Sequence, residues 1–190
     1  MIELVIAAVA VAATATGAAI WAARRARRAA RSPVPARARS VDRGELQPGD
    51  VVVHLGSDYL VEGVAILREG GRDVLVIARM CDGPVERFLV VDPASRQPCA
   101  VCERNDQTST GHAVPKMLVH DGAELRLSAR AAVRLFALGS FGFPKEAACE
   151  LGRYAGPGQR VAVVMIVEGV GLVVAGRVAA EAGFELLPGK

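Results

Sequence analysis

Two thiols in "CAVC", Cys99 to Cys102, are the pair whose spacing offers chemistry in this chain. Thiolates so placed can share one metal ion or close a strained disulfide. A structural zinc site needs two further ligands, and the available donors Cys81, Cys149, His112 and His120 are scattered without a second CxxC or an HxxxH. A thioredoxin-type role needs the pair at a helix N-terminus behind a strand, and Arg96, Gln97 and Pro98 do not read as that strand. The flanks "DPASRQPCAVCERNDQTSTGH" are polar and contain Pro, which predicts a loop with reduced, unpaired thiols and no cofactor. Zinc held by Cys99 and Cys102, or thiol redox chemistry there, is the alternative.

Other polar residues fall into no catalytic pattern. No Ser-His-Asp or Cys-His order with supporting turn chemistry is visible, and "GSFGF", Gly139 to Phe143, lacks the lysine and helix of a phosphate cradle. His54 follows Val51 to Val53 and is expected to face solvent or a core hydrogen bond. Asp58, Glu62, Glu69 and Asp73 straddle a hairpin, as solvating surface acids do. The chain is therefore expected to be no enzyme. Phe141 and Phe143 are the paired aromatics of the domain, and an exposed aromatic loop buries a large area at low entropic cost. They are the expected protein-partner contact.

The N-terminal segment decides where such a protein sits. Leu4 to Ala23, "LVIAAVAVAATATGAAIWAA", carries no charge. About 20 residues at ~1.5 Å each span the ~30 Å hydrocarbon core of a bilayer. A signal peptide would place its positive charge ahead of the apolar run, whereas here Arg24, Arg25, Arg27, Arg28 and Arg31 come after it. The positive-inside rule then predicts an inner-membrane anchor with Met1 outside and the rest cytoplasmic. On a continuing helix, Arg24, Arg27, Arg28 and Arg31 share one face toward anionic lipid head groups, with topology as their main role.

Charge separates this segment from the remainder of the chain. Met1 to Arg43 has eight arginines against Glu3 and Asp42, while Gly44 to Lys190 has 15 basic and 18 acidic residues. Phosphate binding needs clustered Lys and Arg, so nucleic acid is excluded as an expected partner. Residues 1–31 read as anchor and collar. Residues 32–44, with Pro33 and Pro35, read as an extended tether, and residues 45–190 as the domain.

Within the domain, "VVVHL", "YLVEGVAIL", "DVLVIARM", "ERFLVV", "KMLVH", "RVAVVMIV" and "GLVVAGRV" are apolar runs of strand length between Gly-rich turns. They predict an all-β, antiparallel barrel or sandwich with hairpins at "REGGRD" and "VVMIVEGVGLVVAG". Residues 123–138 are read as a strand pair. A helix from Ser128 to Gly139 also fits their Ala and Arg content.

The stretch "LQPGDVVVHLGSDYLVEGVAILREGG" resembles the opening of a bacterial family known as domain of unknown function 4178, and the resemblance extends over about Leu46 to Val178. Its second half matches the family's order of strand, small-residue hairpin, glycine loop, tyrosine and closing hairpin. Tryptophans common in the family's strands are replaced here by "VLVIARM" and "RFLVVD". The resemblance implies a small β-rich, barrel-like or sandwich domain with no established activity. It also implies a neighbourhood of membrane-protein and envelope-maintenance functions.

Overall fold

The structure is a computed structural model describing residues 46–94, 100–106, 113–179 and 184–189. The expected membrane span, arginine collar and tether lie outside the described residues, among which no helix is long and apolar enough to cross a membrane. In chain order the strands are β1 (Val51–His54), β2 (Ser57–Glu69), β3 (Arg72–Asp82), β4 (Val85–Val91), β5 (Ala100–Arg104), β6 (Met117–His120), β7 (Ala123–Gly139), β8 (Glu146–Ala155), β9 (Arg160–Val167), β10 (Val170–Val178) and β11 (Phe184–Leu187).

Turn chemistry sets the hairpins. Leu55-Gly56, Gly70-Gly71, Asp121-Gly122 and Glu168-Gly169 each have two successive positive φ angles, between 50° and 81°. Two-residue turns of that hand match the right-handed twist of the strands they join. The hairpins expected at "REGGRD" and "EGVG" are β2–β3 and β9–β10.

The sheet closes on itself. Strands β2, β3, β4, β5, β10, β9, β8 and β7 are antiparallel neighbours in that order, and β7 pairs back onto β2 to complete an eight-membered ring. Closure requires β2 to share one edge, β1 taking Ser57–Leu60 and β7 taking Gly63–Arg68. β7 divides its edge likewise between β6 and β2. At each hand-over the other edge carries a register shift, between Val61 and Gly63 and between Leu127 and Ala129. An extra residue there bends a strand and sharpens its twist. Gly63 is required at this crossing because an added Cβ would lie 2.5 Å from the Phe141 nitrogen.

Strand alternation distributes side chains over three cores. Inside the ring sit Leu67, Leu75, Ile77, Phe88, Leu135, Leu151, Met165 and Val174. A second core joins Val52, Val61, Val76, Met80 and Leu89 with Phe184 and Leu186 of β11. The third joins Val114, Leu118, Leu125, Tyr154, Val164 and Val173.

The second and third cores correspond because the chain is built twice. β1 to β5 and β6 to β10 repeat one order of short, long and three further strands, each opening with V-H-x-G, at Val53–Gly56 and Val119–Gly122. The hand-over bulges, Val61/Gly63 and Leu127/Ala129, fall at the same place in each half, while a second register shift at Leu67/Arg68 belongs to the first half alone. Tracing the registers outward pairs Val52 with Leu118, Met80 with Tyr154, Leu89 with Val164 and Val101 with Val173. The β5–β10 seam maps onto itself, with Cys102 opposite Gly176, Arg104 opposite Val174, and Glu103 opposite Ala175 at its centre. One difference breaks the repeat. β11 completes the outer edge of β1, whereas among the described residues the equivalent edge of β6 receives the Asn105 amide, whose Nδ2 donates to the Val119 carbonyl at 3.3 Å.

Two local expectations are corrected. Residues 123–138 belong to one strand of 17 residues rather than a strand pair or a helix. It stays single because Val133, Leu135 and Ala137 face the ring interior while Arg130 and Arg134 face outward to Glu150 and Glu146. The "CAVC" segment is also no loop from Ala100 onward, since Ala100–Arg104 is β5 and its polar flanks hide an inward Ala100 and Cys102. Gly63→Ala is expected to cost ~3 kcal/mol or more in a chemical-denaturation measurement, since rigid backbone must move. Gly83→Ala, at φ +60° with nothing within 4 Å of an added Cβ, is expected to cost only ~1–2 kcal/mol.

Candidate functional site

The residues that the sequence singled out do not converge. Cys99 lies outside the described residues, and Cys102 is fully buried in the ring interior. Burial pushes the Cys102 thiol up to about 12 and the Cys149 thiol up to about 11. A thiol so shifted stays protonated at neutral pH, and the thiolate is the nucleophilic and metal-binding form. Cys102 therefore acts here as a small apolar side chain. Among the described residues no group of three His, Cys, Asp or Glu is arranged to hold a metal ion.

The aromatic loop is likewise not the exposed surface expected. Phe141 is 4 % exposed and belongs to the ring core, edge-on to Phe88 with centroids 6.4 Å apart. Phe143 lies half-buried beside it, at 6.0 Å. The loop is drawn inward because the Ser140 N–H donates to the Glu62 carbonyl at 2.8 Å, and because Gly63 leaves room for the Phe141 backbone. Arg79 secures it further by donating from Nη1 to the Ser140 carbonyl at 2.7 Å.

Around this plug runs a charged network. Arg79 reaches Glu86 at 2.7 Å and Glu62 at 3.5 Å, Arg104 reaches Glu86 at 3.1 Å, and the Arg104 guanidinium lies 5.7 Å from the centre of the Phe88 ring. Burial alone would raise the Glu86 pKa, but hydrogen bonds from Arg104 and Arg79 outweigh it and hold the carboxyl below its ordinary value. Partial exposure and solvent screening keep such pairs modest in energy. Of the acids read as a solvating cluster, Glu62 joins this network and Asp73 pairs with Arg68.

Sequence reasoning missed a second polar device. Asp50 of "PGD" is 6 % exposed, and its carboxylate accepts from the Gln47 N–H and the Gly189 N–H, each at 2.8 Å. The motif thus ties the start of the domain to the end of the described chain, where Gly189 allows the close approach because an added Cβ would meet Gly49 at 2.7 Å. His54 stacks on Phe184 with centroids 4.5 Å apart, and Tyr154 donates its hydroxyl to the Pro115 carbonyl at 2.6 Å. An open groove of about 430 Å³ lies along β7 and β8 beside the Arg130–Glu150 ion pair. What the described side chains accomplish is closure, capping and latching.

Three measurements check these roles. Phe141→Ala should cost ~3–5 kcal/mol of stability, as core aromatic truncations do. Brief alkylation of the native protein at pH 8 should modify the half-exposed Cys81 at least tenfold faster than Cys102, read by peptide mass spectrometry. Because the folded Glu86 pKa lies below its unfolded value, its contribution is present above the ordinary carboxylate range and is lost as pH falls through the lowered value. The stability difference between about pH 7 and about pH 3 should accordingly be smaller in Glu86→Gln than in the wild type.

No family model, curated protein or solved structure matches the chain.

Proposed function

We propose that this protein is a non-enzymatic accessory protein of the bacterial inner membrane, held by one N-terminal helix and binding another protein through its cytoplasmic β domain. The observation that carries the reading is the uncharged run Leu4–Ala23 succeeded at once by five arginines, Arg24 to Arg31. That order suits an anchor whose basic flank stays in the cytoplasm. Arg24, Arg27, Arg28 and Arg31 then lie toward anionic head groups, each contributing about 1 kcal/mol near the surface.

The character of the domain supports a binding role over catalysis. Its ring interior is filled by apolar side chains, aliphatic ones together with Phe88 and Phe141, and the buried thiol of Cys102 is held in its unreactive form. A packed interior leaves recognition to the outer surface. A link to envelope maintenance belongs to the same proposal and rests on the short motifs of Leu46–Val178 that resemble domain of unknown function 4178.

Fusion of a reporter after Lys190 tests the topology. A reporter active only in the cytoplasm, together with recovery of the full chain in the membrane fraction, is the expected outcome. Activity of a periplasmic reporter at that position would overturn the orientation. Removal of residues 1–31 should release the domain to the soluble fraction.

A further inference from the structure

The internal repeat provides a control that a single sequence rarely contains: each surface residue of one half can be compared with its counterpart in the other. The two opening turns differ. In the second half the first turn position is Asp121, at φ +50°; in the first half it is Leu55, also at φ +50°. Asp is among the residues that tolerate this left-handed backbone, whereas Leu is disfavoured there. Leu55 nevertheless projects into solvent, 87 % exposed, the greatest exposure among the large apolar side chains described. It gains neither backbone ease nor burial among the described residues.

The surroundings of the tip indicate what it would meet. Val53, two residues before Leu55, is paired on one side with Asp58 and on the other with Glu185. Directly paired residues share a sheet face, so a carboxylate flanks Val53 on each side. Among the described residues neither Asp58 nor Glu185 has a cation within ion-pair distance. An apolar knob at the tip, two residues beyond the rung of these carboxylates, which have no cation partner among the described residues, matches an apolar pocket bordered by Lys or Arg, and an anionic bilayer would repel those carboxylates.

The geometry points to the β1–β2 tip as a docking knob, with Leu55 entering an apolar pocket on a partner protein and Asp58 and Glu185 meeting that pocket's basic rim. The inference rests on the accessory-protein reading in taking the occupant to be a protein. It replaces the Phe141–Phe143 loop as the contact, since Phe141 serves the core.

Photo-crosslinking tests it in the full chain in cells, with a benzophenone amino acid at Ser57, adjacent to the tip. The expected result is an adduct with one protein, joined at a peptide that contains Lys or Arg. That adduct should persist in Leu55→Met and fall at least tenfold in Leu55→Asp and in the double variant Asp58→Lys, Glu185→Lys. Leu55→Asp borrows the counterpart residue, so its melting midpoint should equal or exceed that of the wild type. An adduct with lipid, with a second copy of this chain, or with a protein indifferent to these substitutions overturns the proposal. So does a lowered melting midpoint of Leu55→Asp, which would assign Leu55 a packing role instead. Membrane fractionation of the same variants reports the anchor separately: loss of the adduct with unchanged membrane recovery implicates the knob, and loss of membrane recovery implicates the anchoring reading.

Discussion

The architecture depends on the crossing at which β2 leaves β1 and takes up β7. A sheet of this many strands has two edges unless it closes, and unpaired edges invite association with other chains. Here closure is a ladder of Gly63–Arg68 on Gly139–Arg134, and it begins at its tightest place, where Gly63 pairs with Gly139 and the Phe141 backbone passes over Gly63. A side chain at Gly63 would displace that backbone, and with it the ring that fills one end of the core. Local glycine content and a long-range topological event are thus the same fact viewed at two scales.

The repeat makes the closure economical. Each half brings an outer core of its own, and the two halves meet along the β5–β10 and β2–β7 seams, through the ring interior, and through polar contacts outside it such as the Arg153–Asp92 ion pair. The halves are not copies in chemistry. Met80 of one outer core corresponds to Tyr154 of the other, where a hydroxyl reaches the Pro115 carbonyl. β11 supplies Phe184 and Leu186 to the first outer core only. Where a fold repeats and its residues diverge, the divergence marks what the fold does not itself require.

Legibility in the sequence tracked the range of the interactions. The hairpins at "REGGRD" and "EGVG" were plain, since a two-residue turn and its flanking Val, Ile and Leu lie within one short window. β8 was obscure among the runs of large aliphatics because "EAACELGRYA" is rich in small residues, and its bulk is supplied by β7 and β9. β5 was masked by polar flanks. The inward turn of Phe141 was unreadable, because it depends on Gly63 and Glu62 of a distant strand. Asp50 carried no local sign of its role, because its partner Gly189 lies far along the chain. Of the candidate site residues that the structure describes, Cys102, Phe141 and Phe143, type and spacing were visible, but their inward direction was set by partners far along the chain.

The Asp50–Gly189 latch has a mechanical meaning. β1 begins beside the residue where β11 ends, Val51 opposite Leu187, so the entry of the domain and its far terminus leave from one end of the same antiparallel pair. In an antiparallel ladder the hydrogen bonds run perpendicular to the strands. A load applied between these two ends would act along those bonds and open the pair like a zip, one rung after another, instead of shearing all rungs together. The buried carboxylate stands as the first tooth of that zip, and the remaining strands would be spared until β11 had come away.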